Sequence, residues 1–298
     1  MPTSPTDNPP LVLTFAASDP SGGAGVGADI LALASMGCHP LAVITAFTVQ
    51  DTMGVEGVLA IDSEWVADQA RALLEDMTVD AFKIGVLGSV ENIAAIAEII
   101  ADYPDVPLVL DPVLASGRGD ELASDEMTHA LREMLLPQTT IITPNSLEAR
   151  RLAESDEDDD EPTLATCAAR LIEWGAQTVL ITGTHESTSD VVNTLYNKVG
   201  VMRSDTWPRL SGSYHGSGCT LASAIAAMLA NGLALADAVR EAQDYTWQTL
   251  DKAFRPGMGQ AIPDRLFWAR EDADAPVEDA EADAAREARR LSDARGNH

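Results

Sequence analysis

Short apolar runs alternate with longer amphipathic ones from Leu11 to Asp251, and that alternation leaves few folds open to the chain. Leu11–Ala16, Leu41–Ala46, Ala81–Ile84, Leu108–Leu110, Thr140–Thr143 and Thr178–Thr182 read as strands. Apolar runs of this length suit strands buried on both faces. Helices are predicted over Gly25–Met36 with Gly37 as the stop, from a Ser63 cap to about Met77, and over Val90–Ala101. Others are predicted from about Ser124 to Leu135, from Asn145 to near Ala153, over Thr163–Trp174, and from near Cys219 and Leu235. Thr48–Gln50 and Val55–Ile61, split by Met53-Gly54, suggest a hairpin-like excursion, and Val191–Tyr196 with Val201–Ser204 an antiparallel pair. Strand–helix alternation of this kind implies a mainly parallel sheet covered by helices on both faces, an α/β/α sandwich. Ligands in such sheets bind beyond the carboxyl ends of the strands. The polar and glycine-rich motifs follow the strands that begin at Leu11, Leu108, Thr140 and Thr178, so they should share one rim.

Residues 1–10 read as a flexible lead, 11–268 as one α/β domain, and 269–298 as an acidic tail. The tail is expected to be disordered or an exposed helix with pairs such as Asp283–Arg286 and Glu287–Arg290. Glu154–Glu161, nearly all acidic, reads as a solvated loop; a metal-binding reading lacks anything to pin its geometry. The formal charge is −28, from 47 Asp and Glu against 19 Lys and Arg, and only Lys83, Lys198 and Lys252 are lysines. Such a surface points to a salty cytoplasm of the kind a halophilic archaeon keeps, where dense salt screens self-repulsion. It argues against nucleic acid as a partner, because phosphates would be repelled. The polar, Pro-rich first ten residues lack a basic start before an apolar core, and no run reaches membrane-spanning length. A cytoplasmic protein without a membrane partner is therefore expected. Cys38, Cys167 and Cys219 are odd in number and widely spaced, which fits a reducing compartment.

Four motifs carry the chemistry. Gly216-Ser217-Gly218-Cys219-Thr220 leads into the Ala-rich run Leu221–Ala230. Glycines before a helix let a ligand approach the backbone, and the exposed amides suit a phosphate. Cys219 stands in the same field, which should lower its thiol pKa; a buried structural cysteine is the plainer reading. Ser18-Asp19-Pro20-Ser21-Gly22-Gly23-Ala24-Gly25 is a glycine-rich turn whose spacing does not fit the dinucleotide fingerprint. Asp29, one turn into the next helix, could reach a polar ring or simply face solvent. Asp111, before Pro112 at a strand end, could hold Mg²⁺ through water. Asn145 and Glu148 could meet at the same metal–phosphate site, or form a helix-capping box. His185 and His215 sit in loops near the expected site.

In this order the motifs resemble the ribokinase-like superfamily, and more closely its hydroxymethylpyrimidine/phosphomethylpyrimidine kinase family of thiamine biosynthesis. Ile44-Thr45-Ala46 with Gln50, Lys83-Ile84-Gly85 and Thr143-Pro144-Asn145 support the likeness, which runs from about Leu11 to Ile262. It implies a ribokinase-like three-layer α/β/α fold with a mainly parallel central sheet and a small β excursion. It also implies ATP- and Mg²⁺-dependent phosphorylation of 4-amino-5-hydroxymethyl-2-methylpyrimidine, then of its monophosphate to the diphosphate. The implied roles are catalysis for Cys219 with an anion hole at Gly216, Ser217 and Gly218. Asp29, Gln50, Ala17 and Val86 would bind substrate; Asn145, Thr182, Gly183 and His185 would serve ATP; Asp111 and Glu148 would serve the metal. Three departures stand out: Ala17 where glycine is frequent, Val86 where Met often contacts the ring, and Thr182 in place of a common Lys. That lysine's task would pass to Lys83, Arg118 or solvent salt. A homodimer is expected from the superfamily. The alternatives are a pyridoxal kinase on the same fold and a non-catalytic pyrimidine-binding regulator.

Overall fold

The computed structural model describes residues 8–116, 119–154 and 161–274. Residues 155–160 of the acidic stretch Glu154–Glu161, Arg118 and the residues beyond 274 lie outside the described residues. The chain divides after Arg265 into two compact units. In the second, helix α9 spans Phe267–Asp274.

The first unit is built on a nine-stranded sheet of order β3-β2-β1-β4-β5-β6-β7-β8-β9. Its strands are β1 Leu11–Ser18, β2 His39–Gln50, β3 Val55–Ala60, β4 Ala81–Ile84, β5 Leu108–Leu110, β6 Ile141–Ile142, β7 Thr178–Ile181, β8 Asp190–Asn197 and β9 Gly200–Pro208. The run from β2 through β1, β4, β5 and β6 to β7 is parallel. Antiparallel β3 closes one side, and β8 with β9 the other. The two expected apolar pieces around Ala46 are one twelve-residue strand. Its first half pairs with β1 and its second half with β3, so one strand serves two partners of opposite direction. Pro40 sits near its start, where a missing N–H is tolerated.

Side-chain alternation feeds two cores. Leu108 and Leu110 join one apolar cluster and Val109 the other; Val179 and Ile181 oppose Leu180 in the same way. Helices α2 Ser63–Asp76, α3 Val90–Ala101, α4 Asp125–Ala130, α5 Ser146–Leu152 and α6 Leu164–Glu173 pack on the first face. Helices α1 Gly25–Ser35, α7 Ser217–Ala230 and α8 Leu235–Asp251 pack on the second. Small side chains let α7 lie close to the sheet: Ala222, Ala224, Ala226 and Ala227 are all fully buried. The helix predicted to Leu135 changes form after Ala130, opening into a π turn over Leu131–Leu135 and tightening at Leu136–Gln138. Pro137 lacks the N–H that would continue an α-helix. Asp62, not Ser63, caps α2, accepting from the Glu64 amide.

The connection that leaves β1 runs to β2 on one side, and the one that leaves its neighbour β4 runs to β5 on the other. A crevice forms at such a switch point, beyond the carboxyl ends of the strands. No helix among the described residues is long and apolar enough to cross a membrane.

Candidate active site

A cavity of about 670 Å³ opens at this rim. Ala17, Gln50, Val86, Asp111, Asn145, Glu148, Thr182, His185, Gly216, Ser217, Gly218 and Cys219 all line it. Four separate strand ends therefore deliver their motifs to one space. Two expected site residues are absent from its lining. Asp29 is fully buried, where its carboxylate accepts from Thr14 Oγ1 at 2.7 Å, Ser223 Oγ at 2.8 Å and Lys83 Nζ at 2.9 Å. With its oxygens committed to these donors, it is a structural anion beneath the floor and not a reader of the ring. Gly183 is also buried; its N–H donates to Asn193 Oδ1 at 3.1 Å, so it serves the fold and not a phosphate.

Lys83 is fully buried and sits among Asp29, Asp111 and Cys219. Burial works against its cation, but Asp29, Cys219 and Asp111 outweigh it and hold the ammonium above its ordinary value. Its engagement with both Asp29 oxygens removes it as a flexible partner for ATP. Arg118, the other cation considered for that task, lies outside the described residues.

The start of α7 is open. Gly216 takes a left-handed conformation, φ 83° and ψ 20°, and no side chain caps the helix. A Cβ at Gly216 would collide with the Gly23 carbonyl oxygen, so this junction requires glycine. The first helical bond runs from the Thr220 N–H to the Gly216 carbonyl at 3.0 Å. The amides of Ser217, Gly218 and Cys219 precede it and have no partner within the helix. Cys219 is partly exposed as a residue, and the Gly25 N–H at the start of α1 favours its ionised form, so the starts of α1 and α7 both act on it. Its pKa departs from expectation. Burial of the thiol pushes it up to about 12; Lys83 pulls against this, while Asp111 and Asp29 add to it. The helix-start field is outweighed because the thiol faces carboxylates in a poorly solvated corner.

The start of α5 is closed by its own side chains. Asn145 Oδ1 accepts from the Leu147 and Glu148 amides, and Glu148 Oε2 accepts from the Asn145 N–H, each at 2.9 Å. The capping box is present, yet both residues also face the cavity. Burial, then Asp111, pushes the Glu148 carboxyl up to about 8. Burial likewise raises Asp111 to about 6, Lys83 acting in the opposite sense. Asp111 Oδ2 is a buried acceptor with no hydrogen-bond partner among the described residues. Two crowded carboxyls and an unpartnered oxygen are a donor set that fits a hard divalent cation, which takes one or two carboxylates and completes its shell with water and phosphate.

At the other end, Asp19 holds its own loop, accepting from Ser21 N, Ser21 Oγ and Ala24 N at 2.8–2.9 Å. Its carboxylate also lies 2.6 Å from His215 Nε2, which is 2.9 Å from the Gln50 amide. Burial works against ionised Asp19, but the hydrogen bonds of His215, Ser21 and Ala24 outweigh it and keep the carboxyl below its usual range. The glycine-rich first loop thus carries a built-in anion and is not the phosphate cradle. Sequence reasoning missed this Asp19–His215–Gln50 chain; the one signal was the position of His215 directly before Gly216. It also missed the apolar end near His185, where Trp207, Trp247 and Leu250 line the cavity.

A nine-stranded α/β/α sheet with an open helix start facing carboxylates across a switch-point crevice defines a kinase of the ribokinase-like class. A family model described as phosphomethylpyrimidine kinase matches residues 19–264, and the chain belongs to that family. The hydroxymethylpyrimidine/phosphomethylpyrimidine kinase of Streptomyces coelicolor is 39% identical over 262 residues, covering 87% of this chain and 94% of the relative. A crystal structure of phosphomethylpyrimidine kinase from Clostridium difficile aligns with TM-score 0.69 at 33% identity, covering 81% of this chain and 99% of that one. An ADP complex of Bacillus subtilis pyridoxal kinase aligns with TM-score 0.78 at 29% identity, covering 86% and 97%.

Proposed function

We propose how this cavity carries out the reaction of its family, ATP-dependent phosphorylation of hydroxymethylpyrimidine and then of its monophosphate. The aminopyrimidine sits at the end formed by Ala17, Gln50 and Val86. The Gln50 amide, steadied by His215, offers a donor and an acceptor to the ring. ATP enters from the end lined by Thr182, His185 and Trp207, and its terminal phosphate lies between α5 and α7. Asp111 and Glu148 would hold Mg²⁺, whose charge would offset that of the phosphates when bound.

The observation that carries this reading is the open start of α7 facing the unpartnered Asp111 oxygen across one cavity. The amides of Ser217, Gly218 and Cys219 present fixed dipoles where charge builds on a transferring phosphoryl group. A thiol raised to about 12 is neutral at pH 7. Cys219 therefore acts by holding the hydroxyl in line, and the loose transition state asks for little early proton removal. Positioning and electrostatics supply most of the acceleration.

The predicted homodimer has a candidate surface. Phe47 and Leu59 pair across β2 and β3, and both are well exposed, as is Val49. An apolar ribbon on so acidic a chain suits a second copy.

The test is a coupled ATP assay at high KCl with the pyrimidine alcohol, its monophosphate and pyridoxal as acceptors. ADP formation with both pyrimidines, above that with pyridoxal, is expected. Tight pyrimidine binding without ATP consumption would favour a regulator; preferred turnover of pyridoxal would reassign the substrate.

A further inference from the structure

Arg265 is 2% exposed and is the last residue of the first compact unit. Its guanidinium donates to the Gly23 carbonyl at 2.6 Å, to Thr220 Oγ1 at 2.9 Å and to the Gly216 carbonyl at 3.3 Å. All three acceptors are neutral, and no ion pair to Arg265 is found among the described residues. Burying a guanidinium without a carboxylate is costly, and burial pulls this one below its ordinary pKa. A cation kept at such a place has a use beyond filling space.

The acceptors identify that use. Gly23 belongs to the first glycine-rich loop, while Gly216 and Thr220 begin α7. The Gly216 carbonyl also receives the Thr220 N–H at 3.0 Å and the Thr220 hydroxyl at 2.8 Å. Gly216 has no side chain with which to fix its own conformation, and Arg265 grips its carbonyl from behind. With that carbonyl turned away, the amides that follow point into the cavity.

We propose that Arg265 is the positioning residue of the anion hole: its buried guanidinium clasps the two glycine loops together, keeps the Ser217–Cys219 amides aimed at the transferred phosphoryl group, and leaves its positive charge behind them. The inference rests on the reading of the α7 start as the phosphoryl site. No carboxylate among the described residues pairs with the guanidinium directly; Asp29 and Asp19 act on it at longer range. The clasp spans acceptors on separate loops, a geometry for the planar fork of arginine and not for lysine.

The test compares Arg265→Gln, Arg265→Lys, Thr220→Val and Gly218→Val in kcat, in KM for each substrate, and in thermal midpoint. Arg265→Gln should lower kcat roughly 100-fold, the scale of losing one transition-state donor, with the pyrimidine KM little changed. Arg265→Lys should recover part of the loss, and Thr220→Val should fall between it and wild type. Binding of ADP with orthovanadate, a mimic of the transferring group, should weaken more than binding of ADP alone. An Arg265→Gln enzyme with near-normal kcat and a lowered midpoint, while Gly218→Val is inactive, would overturn the clasp and leave the site reading intact. Near-normal kcat in Gly218→Val as well would overturn both. If Arg265→Gln and Arg265→Lys do not fold, a folded Thr220→Val with unchanged kcat and unchanged vanadate affinity would itself overturn the proposal.

Discussion

Helices α5 and α7 both begin at the wall of the same cavity, and they meet the unsatisfied amides of a helix start in opposite ways. At α5 the Asn145 side chain takes two amides and Glu148 returns a bond to the Asn145 N–H. At α7 a left-handed glycine replaces the cap, and no side chain occupies the amides. The closed start is stable by itself and displays a carboxyl whose proton is hard to remove. The open start forgoes a cap, whose removal elsewhere costs about 1 kcal/mol, and keeps its donors for a ligand. The contrast fits the two tasks proposed for them, a cation beside α5 and a phosphoryl group at α7.

Damage to the open end should appear in rate and not in stability. Cys219→Ala is expected to lower kcat roughly 10²–10³-fold with little change in thermal midpoint, measured by steady-state kinetics beside calorimetry. Near-normal turnover would remove Cys219 from its role. Damage to the closed end should do the reverse. Asn145→Ala should cost about 1 kcal/mol in chemical denaturation. Its kcat should fall far less than that of Cys219→Ala, with ATP KM rising. Equal kinetic losses in the two variants would erase the distinction.

The remaining effect concerns protons. The Glu148 carboxyl is raised to about 8 by burial and by Asp111, from an ordinary 4.5. Between those values the folded, metal-free protein keeps a proton that the unfolded chain has released. Stability therefore falls as pH rises from about 4.5 to about 8 and then levels. In Glu148→Gln the thermal midpoint should decline less across that window. The residual slope should come from Asp111, raised to about 6. Parallel curves for the two proteins would contradict the assignment.

Much of the frame was legible because it depends on local pattern. Apolar runs gave the parallel strands, and the glycine at 216 before an Ala-rich run marked α7. What stayed hidden depends on partners distant in the chain. Asp29 could face a ring or water by its sequence, and only the fold brings Lys83, 54 positions away, into contact with it. The Cys219 pKa was misjudged for the same reason: a helix start argues for lowering, and the carboxylates that oppose it arrive from β5 and α1. Arg265 follows Ile262-Pro263-Asp264 with no motif around it, and its acceptors lie as far as 242 positions away. The limits of β2 were misread because one strand changes partner midway.

The most direct measurement is a crystal structure with a non-hydrolysable ATP analogue, Mg²⁺ and the pyrimidine alcohol together. The account predicts the terminal phosphate about 3 Å from the Ser217–Cys219 amides, with the acceptor hydroxyl beside Cys219. A terminal phosphate bound elsewhere in the cavity, with those amides facing solvent, would contradict it.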